Sequence, residues 1–250
     1  MKARLSLAIA AVCTALALPA CAGLHEDMVA LDRAYIPALA LTNQPKPDAS
    51  KRAMERLRSQ WSAFRTTYAS APAGYAPDAW AAADREVEAA IAAAEKSLVA
   101  GKSLNAHEDL EKVREAQYAL RQTAKVPYFM DDLTAFHSAM EKLVGAVAGK
   151  TPATLTDADL AAVRRAYEAA ERAWQDVLAN RARAAQHGVA GDKLAAVQAQ
   201  IDVETRTLAE LESALAAGDR AKVIEKSIAT KPAFSKLFTM FGDFASVTGV

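Results

Sequence analysis

Ala94–Arg121, AEKSLVAGKSLNAHEDLEKVREAQYALR, decides the fold. It reads as a helix, a tight turn at Ala100-Gly101-Lys102, and a second helix, with Gly101 where helices commonly end. A diverged copy, LESALAAGDRAKVIEKSIATKPAFSKLF, occupies Leu211–Phe238. Glu95, Leu98, Ala100 and Gly101 align with Glu212, Leu215, Ala217 and Gly218, and Ala116 and Leu120 with Ala233 and Leu237.

Working outward, the rest of the chain also pairs with itself. Arg52-Ala53 and Trp61 match Arg165-Ala166 and Trp174, and Ala34-Tyr35 and Ala38 match Ala135-Phe136 and Ala139. The offset drifts from 101 to 113 to 117, which places insertions in loops. This predicts an all-α fold of two tandem up-and-down four-helix bundles, residues 23–127 and 128–250, from an internal duplication.

Apolar residues at three- and four-residue spacing mark eight helices. Helix one carries Met28, Leu31, Tyr35 and Leu39 over Glu26–Thr42 after a short tether, with a kink or a helix restart expected at Pro37. Asp48 or Ser50 is expected to cap helix two, which carries Met54, Leu57, Trp61 and Phe64, and Asp78 to cap helix three. Val126-Pro127 separates the halves. Thr156 and Asp159 form an approximate capping box ahead of helix six. His187–Gly191 reads as a loop, and Pro232 is expected to interrupt helix eight.

Residues 1–22 read as an export signal: Lys2 and Arg4, the apolar run Leu5–Leu18, then small residues. Leu18-Pro19-Ala20-Cys21 resembles a bacterial lipobox, which would make Cys21 the lipidated N-terminus. Ala20-Cys21-Ala22 also fits an ordinary small-x-small cleavage site. The only cysteines are Cys13 and Cys21, so the body carries no disulfide, and a lone cysteine at that place favours lipidation. Both readings put the protein in the periplasm, the first attached to the membrane. Of 30 basic residues, Lys2 and Arg4 fall in this segment, leaving 28 against 30 acidic ones. Such a balance argues against nucleic acid as a partner.

Each half resembles the cytochrome b562 family of exported four-helix bundles. The resemblance rests on Met28 in the first turn of helix one (Met130 in the second half, one residue out of register), a short second helix, a Pro-containing loop and the Gly101-Lys102 hairpin. It implies haem held by that methionine and a histidine near the end of helix four. That end reads Tyr118-Ala119-Leu120-Arg121 in one half and Ser235-Lys236-Leu237-Phe238 in the other, without a histidine. The resemblance therefore supports the fold and makes a haem-binding electron carrier the secondary reading.

The residues best suited to chemistry lie on helix five. Met130, His137, Met140 and Glu141 recur at spacings of three, four and seven, on one side of a helix. Imidazole and thioether suit copper, and imidazole with carboxylate suits zinc or iron. A plain core stripe is the competing reading. His107 and Glu111 form a second i, i+4 pair, which would share one metal with the first if helices four and five pack together. Competing with that is capping and solvation. His25 reads as part of a solvated tether, and the arginines of helix two as a solvated face. Phe234, Phe238, Phe241 and Phe244 form one face, either a cap on the second bundle or a surface for an envelope partner. No catalytic motif is present. The expectation is a non-enzymatic binding or structural module.

Overall fold

The computed structural model describes residues 18–44 and 46–248, with side chains from Gly23 onward. Of residues 1–22, read as a signal, residues 1–17 lie outside these, and so does the side chain of Cys21. The described residues contain helices and no strand.

Eight long helices follow in order: α1 Leu18–Thr42, α2 Pro47–Thr67, α3 Pro77–Val99, α4 Ser103–Ala124, α5 Phe129–Val147, α6 Asp157–Asn180, α7 Gly191–Ala217 and α8 Arg220–Thr239. A 3₁₀ helix, Arg181–His187, precedes α7, and a single turn, α9, spans Ala245–Thr248. The helices begin where backbone chemistry allows. Proline opens α2 and α3 at Pro47 and Pro77, where the missing N–H is no loss, so Asp48 and Asp78 lie inside the first turn rather than capping it. The Ser50 hydroxyl instead donates to the carbonyls of Leu41 and Lys46. Thr156 and Asp159 form the expected capping box, and the hydrogen bonds from Thr156 hold the Asp159 carboxyl at about 2. Gly218 closes α7 in the left-handed conformation, φ +65°.

Neither Pro37 nor Pro232 restarts or ends its helix. α1 passes through Pro37 and α8 through Pro232 as single helices. α1 also includes residues 18–25, so among the described residues the expected tether before Glu26 is helical.

Short connections make successive helices neighbours. α1 lies along α2 and α3 along α4, while α1 meets α4 and α2 meets α3, closing one ring of four. α5 to α8 close a second ring with the same connectivity. Matching tryptophans sit alike in both. Trp61 is buried and its Nε1 donates to Glu88 on α3 (2.9 Å), and Trp174 is buried and donates to Thr205 on α7 (2.9 Å). Burying such side chains contributes roughly 1.5–3 kcal/mol each.

The rings touch along a seam. α4 meets α5, α1 meets α8, and α9 lies on α2. Phe234, Phe238 and Phe241 are buried, and Phe244 packs against the same core. The four phenylalanines thus pack on the core as a cap would: Phe241 faces Phe129 at 5.8 Å, and Phe234 faces Phe136 at 5.6 Å. The arginines of α2 are likewise committed. Arg58 binds Glu88 and Glu95, Arg65 binds Asp84, and Arg56 reaches Asp243 beyond α8.

Candidate functional site

At the seam, α1, α4, α5 and α8 leave a solvent-open groove of about 850 Å³. That size lies in the range of small-ligand sites, roughly 300–1,000 Å³. Its floor is Leu39, Met140, Phe234 and Phe238, and its centre is a chain of charged side chains.

The chain starts on α4. His107 Nδ1 lies 2.9 Å from the carbonyl oxygen of Leu39, in the last turn of α1 where carbonyls lack helical partners. A carbonyl can only accept, so Nδ1 carries the hydrogen and Nε2 faces outward, 3.6 Å from Glu111 Oε1. Glu111 Oε2 accepts from Arg114 Nη2, and the same nitrogen lies 2.7 Å from His137 Nδ1 on α5. A guanidinium only donates, so His137 Nδ1 is a bare acceptor and its proton sits on Nε2. That nitrogen is 3.5 Å from Glu141 Oε1, which Lys231 of α8 holds at 2.8 Å.

Burial sets the electrostatics. It pushes the Glu111 carboxyl up, against the pull of Arg114 and His107. It pushes His137 down to about 2, and Arg114, Lys231 and His107 act in the same direction, so the imidazole is neutral. Arg114 is 93% buried, as its 7% exposure shows; its guanidinium lies 5.6 Å from the Phe238 ring, and its Nε has no partner among the described residues.

The four His and Glu residues predicted from sequence thus meet: His107, Glu111, His137 and Glu141 share one groove. The two methionines do not join them. Met140 lies in the groove floor, but Met130 is seven residues before His137, about 10 Å along the axis, and packs in the core. Sequence reasoning missed Arg114 and Lys231. Arg114 was findable, because it falls three residues after Glu111 and seven after His107. Lys231 comes from α8 and carries no local signal. As the side chains stand, the described residues hold no group of three or more His, Cys, Asp or Glu placed to bind a metal ion.

A second polar cluster lies deeper in the seam. Tyr128 Oη donates to Asp32 Oδ2 (2.6 Å), and Arg121 forks onto Asp131 at 2.7–3.1 Å. His187, expected in a loop, ends the 3₁₀ helix, is buried, and packs edge-on to Tyr128 at 4.5 Å. His25, expected in a solvated tail, sits on α1 with its ring 5.5 Å from both Tyr128 and His187.

The haem that the b562 resemblance implies does not fit. Met28 lines a cavity of about 30 Å³ with Trp61, Phe64, Trp80 and, from the end of α4, Gln117, Leu120 and Arg121. That is room for a water or two, and no histidine faces it.

No protein-family model matches the chain, and no curated protein or solved structure does either. The fold and the groove define it as an all-helical protein with a polar cleft between two helical rings.

Proposed function

We propose that the protein is a non-catalytic binding module of the bacterial cell envelope that takes a small ligand or metal ion into the groove between α1, α4, α5 and α8. The observation that carries this reading is the convergence of two His–Glu pairs, from α4 and α5, on one buried arginine inside an open cleft. Side chains that served only to solvate the surface would have no reason to line up across two helices around a desolvated cation. Export and attachment through a lipid on Cys21 complete the reading, supported by the Leu18–Cys21 sequence and the lack of other cysteines beyond Cys13. The mass of the mature N-terminus tests that part. Duplication of one four-helix unit is the proposed origin of the two rings, supported by their shared connectivity and the aligned Trp61 and Trp174.

The groove is tested by thermal melting with a panel of solutes: zinc and cobalt chlorides, phosphate, citrate, single amino acids and polyamines. A ligand at a hundred times its Kd adds about 2.7 kcal/mol. For a chain of this size that raises Tm by roughly 2–4 °C per kcal/mol. Ser138 lines the cleft, and Ser138→Trp fills it. At least one solute is expected to raise the Tm of the wild type and not of S138W. A panel with no such solute overturns the reading.

A further inference from the structure

We infer that Arg114 occupies a divalent-metal position, and that a d-block ion such as Zn²⁺ or Co²⁺ displaces its guanidinium to be held by His107 Nε2, Glu111 and His137 Nδ1. The inference rests on the groove reading above and specifies its ligand.

Two lone-pair donors from different helices are aimed at one positive atom. Glu111 Oε2 and His137 Nδ1 both bind Arg114 Nη2, the latter at 2.7 Å. His107 supplies a third donor. Its Nδ1 is committed to the Leu39 carbonyl, which turns Nε2 toward Glu111. That nitrogen stands 3.6 Å from Glu111 Oε1, close enough for the two to share one cation.

Distances suit the exchange. Imidazole and carboxylate bind zinc at about 2.0–2.2 Å, so two donors on one tetrahedral ion lie ~3.3 Å apart. His107 Nε2 and Glu111 Oε1 are already 3.6 Å apart. The donor set of two imidazoles and a carboxylate selects borderline divalent ions over Ca²⁺ or Mg²⁺, which want oxygen. His107 also has the outer partner that metal-bound imidazoles require to fix the ring, Leu39 O, and Glu141, 3.5 Å from His137 Nε2, stands where it can orient the second ring without being a ligand.

Arg114 explains why no three-ligand group stands formed. Its cation fills the point toward which Glu111 and His137 face. It is also an internal competitor, because a metal must break its contacts to Glu111 and His137 before binding. Glu108 and Glu115 line the same groove and offer the released guanidinium new partners. A permanent structural arginine predicts the opposite behaviour: its removal would leave Glu111 unpaired and create no site.

The test is titration of Co²⁺ into untagged mature protein, followed by visible absorption, with circular dichroism at the same concentrations. The wild type is expected to bind one Co²⁺. Arg114→Met and Arg114→Gln are expected to bind at least tenfold more tightly. His107→Ala and His137→Ala are expected to weaken binding at least tenfold. Folded Arg114 variants that bind no more tightly than the wild type overturn the inference. Should neither Arg114 variant fold, His137→Ala decides, and Co²⁺ affinity equal to the wild type overturns it. Failure here is distinct from failure of the groove reading, which stands if another solute of the panel stabilises the wild type but not S138W.

Discussion

Tyr128 and Asp32 join the two helical rings through one buried hydrogen bond, Oη to Oδ2 at 2.6 Å. Tyr128 precedes α5 and Asp32 lies on α1, so the bond crosses the seam. Arg121 lies over the Tyr128 ring at 4.2 Å and binds Asp131, giving the seam a second polar tie beside the first. Burial pushes the Asp32 carboxyl up to about 6, although Arg121 and the Tyr128 hydroxyl pull it down. Above pH 6 the Tyr128 hydroxyl therefore serves a buried carboxylate, and below it a neutral acid.

Tyr128→Phe tests that bond. At pH 7.5 it leaves a charged oxygen without its donor, and the expected loss is about 1–3 kcal/mol. At pH 5 the acid is neutral and the loss should fall toward about 1 kcal/mol. Urea unfolding at the two pH values measures the difference. An equal loss at both would show that Asp32 does not ionise between them.

Arg121 and Asp131 form the most deeply buried ion pair in the seam, with side-chain exposures of 4% and 3%. Removing one partner strands the other charge. Arg121→Met is expected to cost about 3–5 kcal/mol, and the double variant Arg121→Met/Asp131→Leu to recover most of it. A double-mutant cycle by urea unfolding checks this. A double variant as unstable as Arg121→Met would show that shape, not charge compensation, governs the site.

Gly242 fixes how the C-terminal turn seats on α1. A β-carbon there would lie 2.7 Å from Phe244 Cε2, 2.9 Å from Ile36 Cγ2 and 3.1 Å from Pro37 Cδ. The next amide, Asp243 N, donates to Arg33 O at 3.0 Å. Gly242→Ala is expected to cost about 1–3 kcal/mol by overpacking. Hydrogen exchange at Asp243 should speed up before that of α1 or α5. Unchanged exchange there would place the strain elsewhere.

What was readable in the sequence was what depends on local spacing. The 3.6-residue stripes located all eight long helices, Gly218 and Thr156 marked helix ends, and the i, i+4 pairs on α4 and α5 pointed to the groove. What was not readable depends on which helices meet. His25 and His187 are 162 positions apart, and only the seam brings them together. Pro232 looks like a break in isolation, yet α8 packs along α5 and α7 and stays helical through it. The phenylalanines showed a common face without showing that the second core covers it. Lys231 reaches Glu141 only because α8 closes the second ring against α5.

Glu204 makes stability fall as pH rises toward 8. It sits in the apolar stripe of α7, between Ile201 and Leu208, where the sequence pattern calls for a hydrophobic residue. It is fully buried, and neither carboxyl oxygen has a partner among the described residues. Burial alone pushes its carboxyl from 4.5 up to about 8. The folded state thus holds a proton that the unfolded chain releases above pH 4.5, so Glu204 lowers stability as pH rises toward 8. Asp32 acts in the same sense, but only between 3.8 and about 6. His187 acts oppositely: burial holds it down to about 3 from 6.5, so stability falls as pH drops through that range. Asp32 and His187 therefore offset one another below pH 6.5, while neither contributes above it. Between pH 6.5 and 8 the slope from Glu204 stands uncovered, about 2 kcal/mol over the interval. Glu204→Met keeps the side-chain length, removes the titration, and fills the stripe with an apolar group. It should abolish that decline and leave the variant more stable than the wild type at pH 8. Urea unfolding at pH 6.5 and 8 makes the comparison, and a decline that persisted in Glu204→Met would assign it to another group.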